Sequence, residues 1–120
     1  MTTDKAQMFL SYWRLLADGL DEPTPEYEFN LPESKHRFDF CWPAKFIAVE
    51  IDGGQWKPHG GRHGTDGDRE KRNLAASAGF RIFFFSPAML EADPQGCIDR
   101  VARAVYGFSP TTLVDGRENG

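Results

Sequence analysis

The chain has 120 residues, 14 Lys and Arg against 18 Asp and Glu, a formal net charge of −4, 40% hydrophobic residues and 13% aromatics. That length and apolar content suit one domain around one core and exclude a disordered chain. No apolar run approaches the roughly 18 residues that span a bilayer, and taken whole the acidic balance argues against a nucleic-acid partner.

Residues 4–18 are predicted to form an amphipathic helix, with Phe9, Trp13, Leu16 and Leu20 at helical spacing and Gly19 as its stop. Residues 21–25 (DEPTP) read as a loop, 27–30 as a short strand and 31–34 as a turn. Residues 36–42 alternate, with Phe38, Phe40 and Trp42 on one face and Arg37, Asp39 and Cys41 on the other. After a tight connection at Pro43 and Ala44, residues 46–52 alternate again, with Ile47, Val49 and Ile51 opposed to Ala48, Glu50 and Asp52. Residues 53–67 hold six of the twelve glycines and read as a loop of unusual backbone freedom. Thr65 or Asp66 caps a helix predicted to reach Ala78, where Gly79 stops it. Residues 80–85 form a dense apolar run, expected as a central strand covered on both faces. A closing helix over 94–106 carries the stripe Ile98, Val101, Ala102 and Val105. The expected architecture is α/β, a small mixed sheet flanked by helices, with one domain over 1–107 and a polar, flexible tail over 108–120.

The N-terminus carries no basic-then-apolar signal pattern, so the cytoplasm is the expected compartment, with no membrane partner. Cys41 and Cys97 lack framework spacing and read as reduced core thiols. The charge is unevenly spread. Residues 1–34 carry −5, 35–52 carry zero, 53–81 carry +3 and 82–120 carry −2. A locally basic middle third therefore sits inside an acidic chain, and screening over roughly 8 Å lets one face act independently of the net value.

Asp39 lies between two phenylalanines, and Glu50 and Asp52 interrupt a run of Ile, Ala and Val. Carboxylates at strand centres are costly to bury unpaired. Antiparallel pairing of the two strands sets Asp39 either opposite Ala48, for a two-residue loop, or opposite Glu50, for a loop two residues longer. Both registers leave Asp39, Glu50 and Asp52 on one face, within about 5–8 Å. Two readings stay open: an ion network with Arg37 and Lys71, or an oxygen-rich site for Mg2+ or Mn2+.

The segments RFDFCWP, AVEIDGGQW, GGRH, DREKRNLA and GFRIFFF, in this order over residues 26–90, resemble the PD-(D/E)XK nuclease superfamily. More narrowly, they are similar to small stand-alone endonucleases of bacteria and phages related to very-short-patch repair nucleases. The resemblance implies a restriction-endonuclease-like α-β-β-β-α-β core followed by a C-terminal helix. It also implies a metal-dependent DNA endonuclease, with Asp39 and Glu50 holding Mg2+ or Mn2+ with help from Asp52 and the Ile51 carbonyl. The lysine that the superfamily places two residues after the glutamate is Asp52 here. On the following helix Lys71 shares a stripe with Leu74, Ala75 and Ala78, which points it toward the sheet. It either replaces the missing lysine or snorkels and pairs with Asp68. Glu28 reads as an exposed strand residue or as a further metal-shell acid.

The glycine loop interleaves Gln55, Trp56, Lys57, His59, Arg62 and His63, which suit phosphate contacts and one stacking surface. The four-residue spacing of His59 and His63 makes a poor zinc signature among glycines. His63 reads as a proton-transfer or phosphate-contact residue, or as a solvated loop histidine. Cys41 has no CxxC partner for thiol chemistry. Lys35, Arg37 and Arg72 complete the expected DNA-binding set, and cutting both strands of a duplex would require a homodimer. The alternative function is a catalytically weak or inactive nuclease-fold module that binds nucleic acid or a protein.

Overall fold

The computed structural model of the chain describes residues 4–33, 35–51, 66–108 and 110. It is a mixed α/β fold, in which a four-stranded sheet of order β1-β2-β3-β4 carries helices on both faces. The strands are β1 (Thr24–Glu28), β2 (Arg37–Trp42), β3 (Ile47–Ile51) and β4 (Arg81–Phe85), and the helices are α1 (Asp4–Leu16), α2 (Asp66–Ser77), α3 (Pro87–Ala92) and α4 (Pro94–Tyr106). The first three strands pair antiparallel, whereas β3 and β4 are parallel and are joined through α2. Among the described residues no helix is long and apolar enough to cross a membrane.

The larger core lies on one face. Ala6, Phe9, Leu10 and Trp13 of α1 are buried at helical spacing, and Cys97, Ile98, Val101, Ala102 and Val105 of α4 form the matching stripe. Both pack on Phe40, Trp42, Ile47, Val49, Ile51 and Phe85 of the sheet. Aromatic rings dominate: Phe9 lies 5.3 Å from Phe40, and Trp13 lies 4.8 Å from Trp42, between centroids. Gly19 and Gly107, at φ 90° and 88°, follow these two helices in the left-handed conformation that glycine adopts without a Cβ penalty.

A second, smaller cluster of Phe38, Cys41, Ala48 and Ala75 lies under α2, with Tyr27, Phe29, Phe80 and Ile82 half-buried around it. Small side chains at Ala48 and Ala75 leave little bulk between sheet and helix. Lys71, one turn before Ala75, is half-buried over this face, and Ala78 is exposed.

Several expectations need correction. β1 begins at Thr24, inside the stretch read as a loop, and Pro25 is tolerated because β1 is an edge strand. The link between β2 and β3 is longer than Pro43 and Ala44: a 3-10 turn at Pro43–Lys45 is closed by Phe46 at φ 58°, whose N–H donates to the Pro43 carbonyl. This selects the longer-loop register, Trp42↔Ile47 and Phe40↔Val49.

Phe38 does not share a face with Phe40 and Trp42; it belongs to the α2-side cluster with Cys41. The cause is local. The β2–β3 ladder ends at Phe40↔Val49, the Asp39 N–H turns to a side chain, and Glu26, level with Asp39 on β1, takes a left-handed φ of 47°. Finally, β4 is not central. It forms the sheet edge among the described strands, with Phe85 buried and Phe84 38% exposed. α3 is an added element between β4 and α4, started by Ser86, whose hydroxyl accepts the Met89 N–H at 3.1 Å.

Candidate active site

The β2–β3 register, extended one step beyond Phe40↔Val49, sets Asp39 opposite Glu50. Side-chain bonds continue the ladder there. The Asp39 N–H donates to Glu50 Oε2 at 3.0 Å, and the Ile51 N–H donates to Asp39 Oδ2 at 2.7 Å. Each carboxylate is thus anchored by main chain from the opposite strand, which fixes both groups on the α2 side of the sheet. α2 contributes the third member: Lys71 Nζ donates to Glu50 Oε1 at 3.0 Å and sits 5.9 Å from the centre of the Phe38 ring.

This explains the turn of Phe38 to the α2 side. There it stacks on Phe29 at 4.1 Å, meets Phe80 edge-on at 5.1 Å and forms an apolar floor beneath the Lys71 stem.

Burial is the main influence on both acids. It pushes the Glu50 carboxyl above its ordinary range, an effect opposed by the charge and hydrogen bond of Lys71 and reinforced by Asp39. Burial likewise raises Asp39; the Ile51 N–H, Lys71 and Lys5 oppose the shift, and the Glu26 charge adds to it. With one lysine between two carboxylates, the ionised cluster keeps one net negative charge. Such a site favours an additional cation or a proton.

Hard oxygen donors of this kind suit Mg2+ or Mn2+, and Mg2+ is commonly bound through one or two carboxylates with substrate phosphates completing the shell. Among the described residues no group of three or more His, Cys, Asp and Glu is placed to hold a metal ion. Asp39 and Glu50 are two such oxygen donors on one face of the sheet.

Of the ion-network partners weighed from sequence, Lys71 joins Glu50 and Arg37 goes elsewhere. Arg37 bridges Glu26 at 3.2 Å and Glu28 at 3.5 Å along the β1–β2 edge. Glu28 thereby has its cation on the neighbouring strand. Lys35 is exposed between β1 and β2, and Arg72 is exposed on α2 with its guanidinium 4.5 Å from the centre of the Phe84 ring. Asp52, Gln55, Trp56, Lys57, His59, Arg62 and His63 lie outside the described residues.

Both cysteines are free and buried, and burial pushes the Cys41 thiol up to about 12, so it is no nucleophile at neutral pH. Sequence reasoning missed the two main-chain anchors of the carboxylates and the exposure of Phe84. The β-ladder neighbours of Glu50 were the signal that could have found Phe84, once β4 was placed in register. Comparison with protein-family models, curated proteins and solved structures finds no match to this chain.

Proposed function

We propose that the chain is a divalent-metal-dependent DNA endonuclease built on a restriction-endonuclease-like core. One observation carries this reading: two half-buried carboxylates and a lysine, contributed by β2, β3 and α2, meet on one face where the β2–β3 ladder ends. The element order α1-β1-β2-β3-α2-β4, with β3 and β4 parallel, is compatible with such a core. Where a superfamily lysine would follow Glu50 by two residues the sequence has Asp52, and Lys71 delivers an ammonium to Glu50 from the next helix.

A divalent cation held by Asp39 and Glu50, with the Ile51 carbonyl and Asp52 as further oxygens, would supply Lewis acidity toward the scissile phosphodiester. The protein's own groups do the remainder. The Ile51 and Asp39 amides hold the two carboxylates in fixed rotamers before any ligand arrives. Lys71 has protons left to orient a water in line with phosphorus and to offset the negative charge that grows on the phosphoryl oxygens. Burial raises both carboxyls above their ordinary range, which makes their ionised forms stronger proton acceptors for that water.

The test is nicking of supercoiled plasmid with Mg2+ or Mn2+. Wild type should relax it, Asp39→Ala and Glu50→Ala should each abolish the activity, and activity surviving in both variants would refute the reading.

A second reading, a nuclease-fold module that binds without cutting, is favoured by the engagement of both Glu50 oxygens by protein donors. Mn2+ calorimetry separates the two, because a binding-only module has no saturable metal site.

A further inference from the structure

Phe84 is the β4 partner of Glu50 in the parallel ladder. Its side chain therefore shares the α2 face with the carboxylates, one strand spacing of about 4.8 Å toward the sheet edge. Yet Phe84 stays 38% exposed. One side of the ring is covered by the Arg72 guanidinium at 4.5 Å.

The three cations of α2 are placed differently. Arg69 is bonded to Asp66 in its own first turn at 3.0 Å, and Lys71 to Glu50 at 3.0 Å. Arg72 is exposed and, among the described residues, has the Phe84 ring and no carboxylate within ion-pair distance.

A guanidinium over an aromatic ring sets a cation with an N–H edge beside an apolar face. An apolar protein partner would bury that charge without an anion, which is unfavourable. A phosphodiester chain with an unstacked base matches both halves. The base lies against the guanidinium and ring, and its phosphate accepts from the N–H edge. Bases inside a duplex already stack on each other and present no free face.

We propose that Arg72 and Phe84 form a stacking site for an unpaired base, directing this chain to single-stranded, flapped or otherwise distorted DNA. The choice of DNA as the ligand rests on the nuclease reading of the neighbouring carboxylates.

The test measures binding of the full chain to a short labelled single strand, and to a duplex of the same sequence, by fluorescence anisotropy in EDTA. Phe84→Leu and Arg72→Lys should each weaken single-strand binding about tenfold and change duplex binding less than about twofold, with Phe84→Trp retaining wild-type affinity. Arg72→Ala should also flatten the salt dependence on single strands by about 0.7.

The proposal is overturned if the two conservative variants leave single-strand binding unchanged or weaken both substrates equally. It is overturned as well if sedimentation shows Phe84→Leu dissociating a wild-type dimer while DNA binding persists. Because the assay needs neither metal nor hydrolysis, failure of the nuclease reading is seen separately, as plasmid nicking that survives Asp39→Ala and Glu50→Ala.

Discussion

Replacing Lys71 with Met keeps an unbranched apolar stem over Phe38 and removes the ammonium. Among the described residues Glu50 then retains the Asp39 N–H as its donor, in a site where its side chain is 18% exposed and that of Lys71 is 25% exposed. Breaking a fully buried pair costs about 3–5 kcal/mol and an exposed pair about 0.2–1 kcal/mol. Intermediate burial puts Lys71→Met at about 2 kcal/mol. With an unfolding entropy of about 250 cal/mol/K for a chain of this length, that loss lowers Tm by about 8 °C.

Glu50→Gln removes the charge and keeps an acceptor for the Asp39 N–H, so it should cost less than about 1 kcal/mol. The coupling energy of the pair should be about 1–2 kcal/mol, so the double variant should lose less stability than the two single losses added together. Urea titrations at neutral pH on the four proteins measure this cycle. Strict additivity, or a Lys71→Met loss below about 0.5 kcal/mol, would refute the claim that Lys71 neutralises a buried Glu50.

The raised carboxyls also set a pH dependence. A folded-state pKa above the unfolded one weakens the fold at neutral pH, and that penalty fades as pH falls through the raised value. Asp39→Asn should therefore stabilise the metal-free chain at pH 7 and lose that advantage in acid; thermal scans across pH check it. Mn2+ at about a hundred times its Kd should raise wild-type stability by about 2.7 kcal/mol and leave Asp39→Asn unmoved, as read by the Tm shift. Asp93→Ala removes the carboxylate that accepts the Gly96 N–H at 3.0 Å and should cost about 1 kcal/mol in urea unfolding.

Periodicity carries the most legible parts of this molecule. The stripes of α1 and α4 and the alternation of Ile47, Val49 and Ile51 are visible because each buries a continuous face. Asp39 and Glu50 stand out for the complementary reason, as charges inside apolar strands. The β2–β3 register is less legible, because it depends on Phe46 taking a left-handed conformation that its residue type does not announce. Phe38 is illegible from alternation alone, since its face is decided by a tertiary bond from the Asp39 amide to Glu50. The edge position of β4 is hidden by composition, because RIFFF resembles a buried strand until the partners on either side are known. Lys71 was placed toward the sheet by its helical stripe, but its choice of Glu50 required the three-dimensional meeting of α2 with β3.

The exchange of ladder bonds for carboxylate bonds makes the Asp39 and Ile51 amides internal reporters. Their protons sit on the groups that titrate and would hold a cation, so their resonances carry the ionisation state of the cluster without any added label. Protonation of Asp39 would act first on the Ile51 amide and protonation of Glu50 on the Asp39 amide. Two backbone signals can thus separate the titrations of two acids that a bulk measurement would merge.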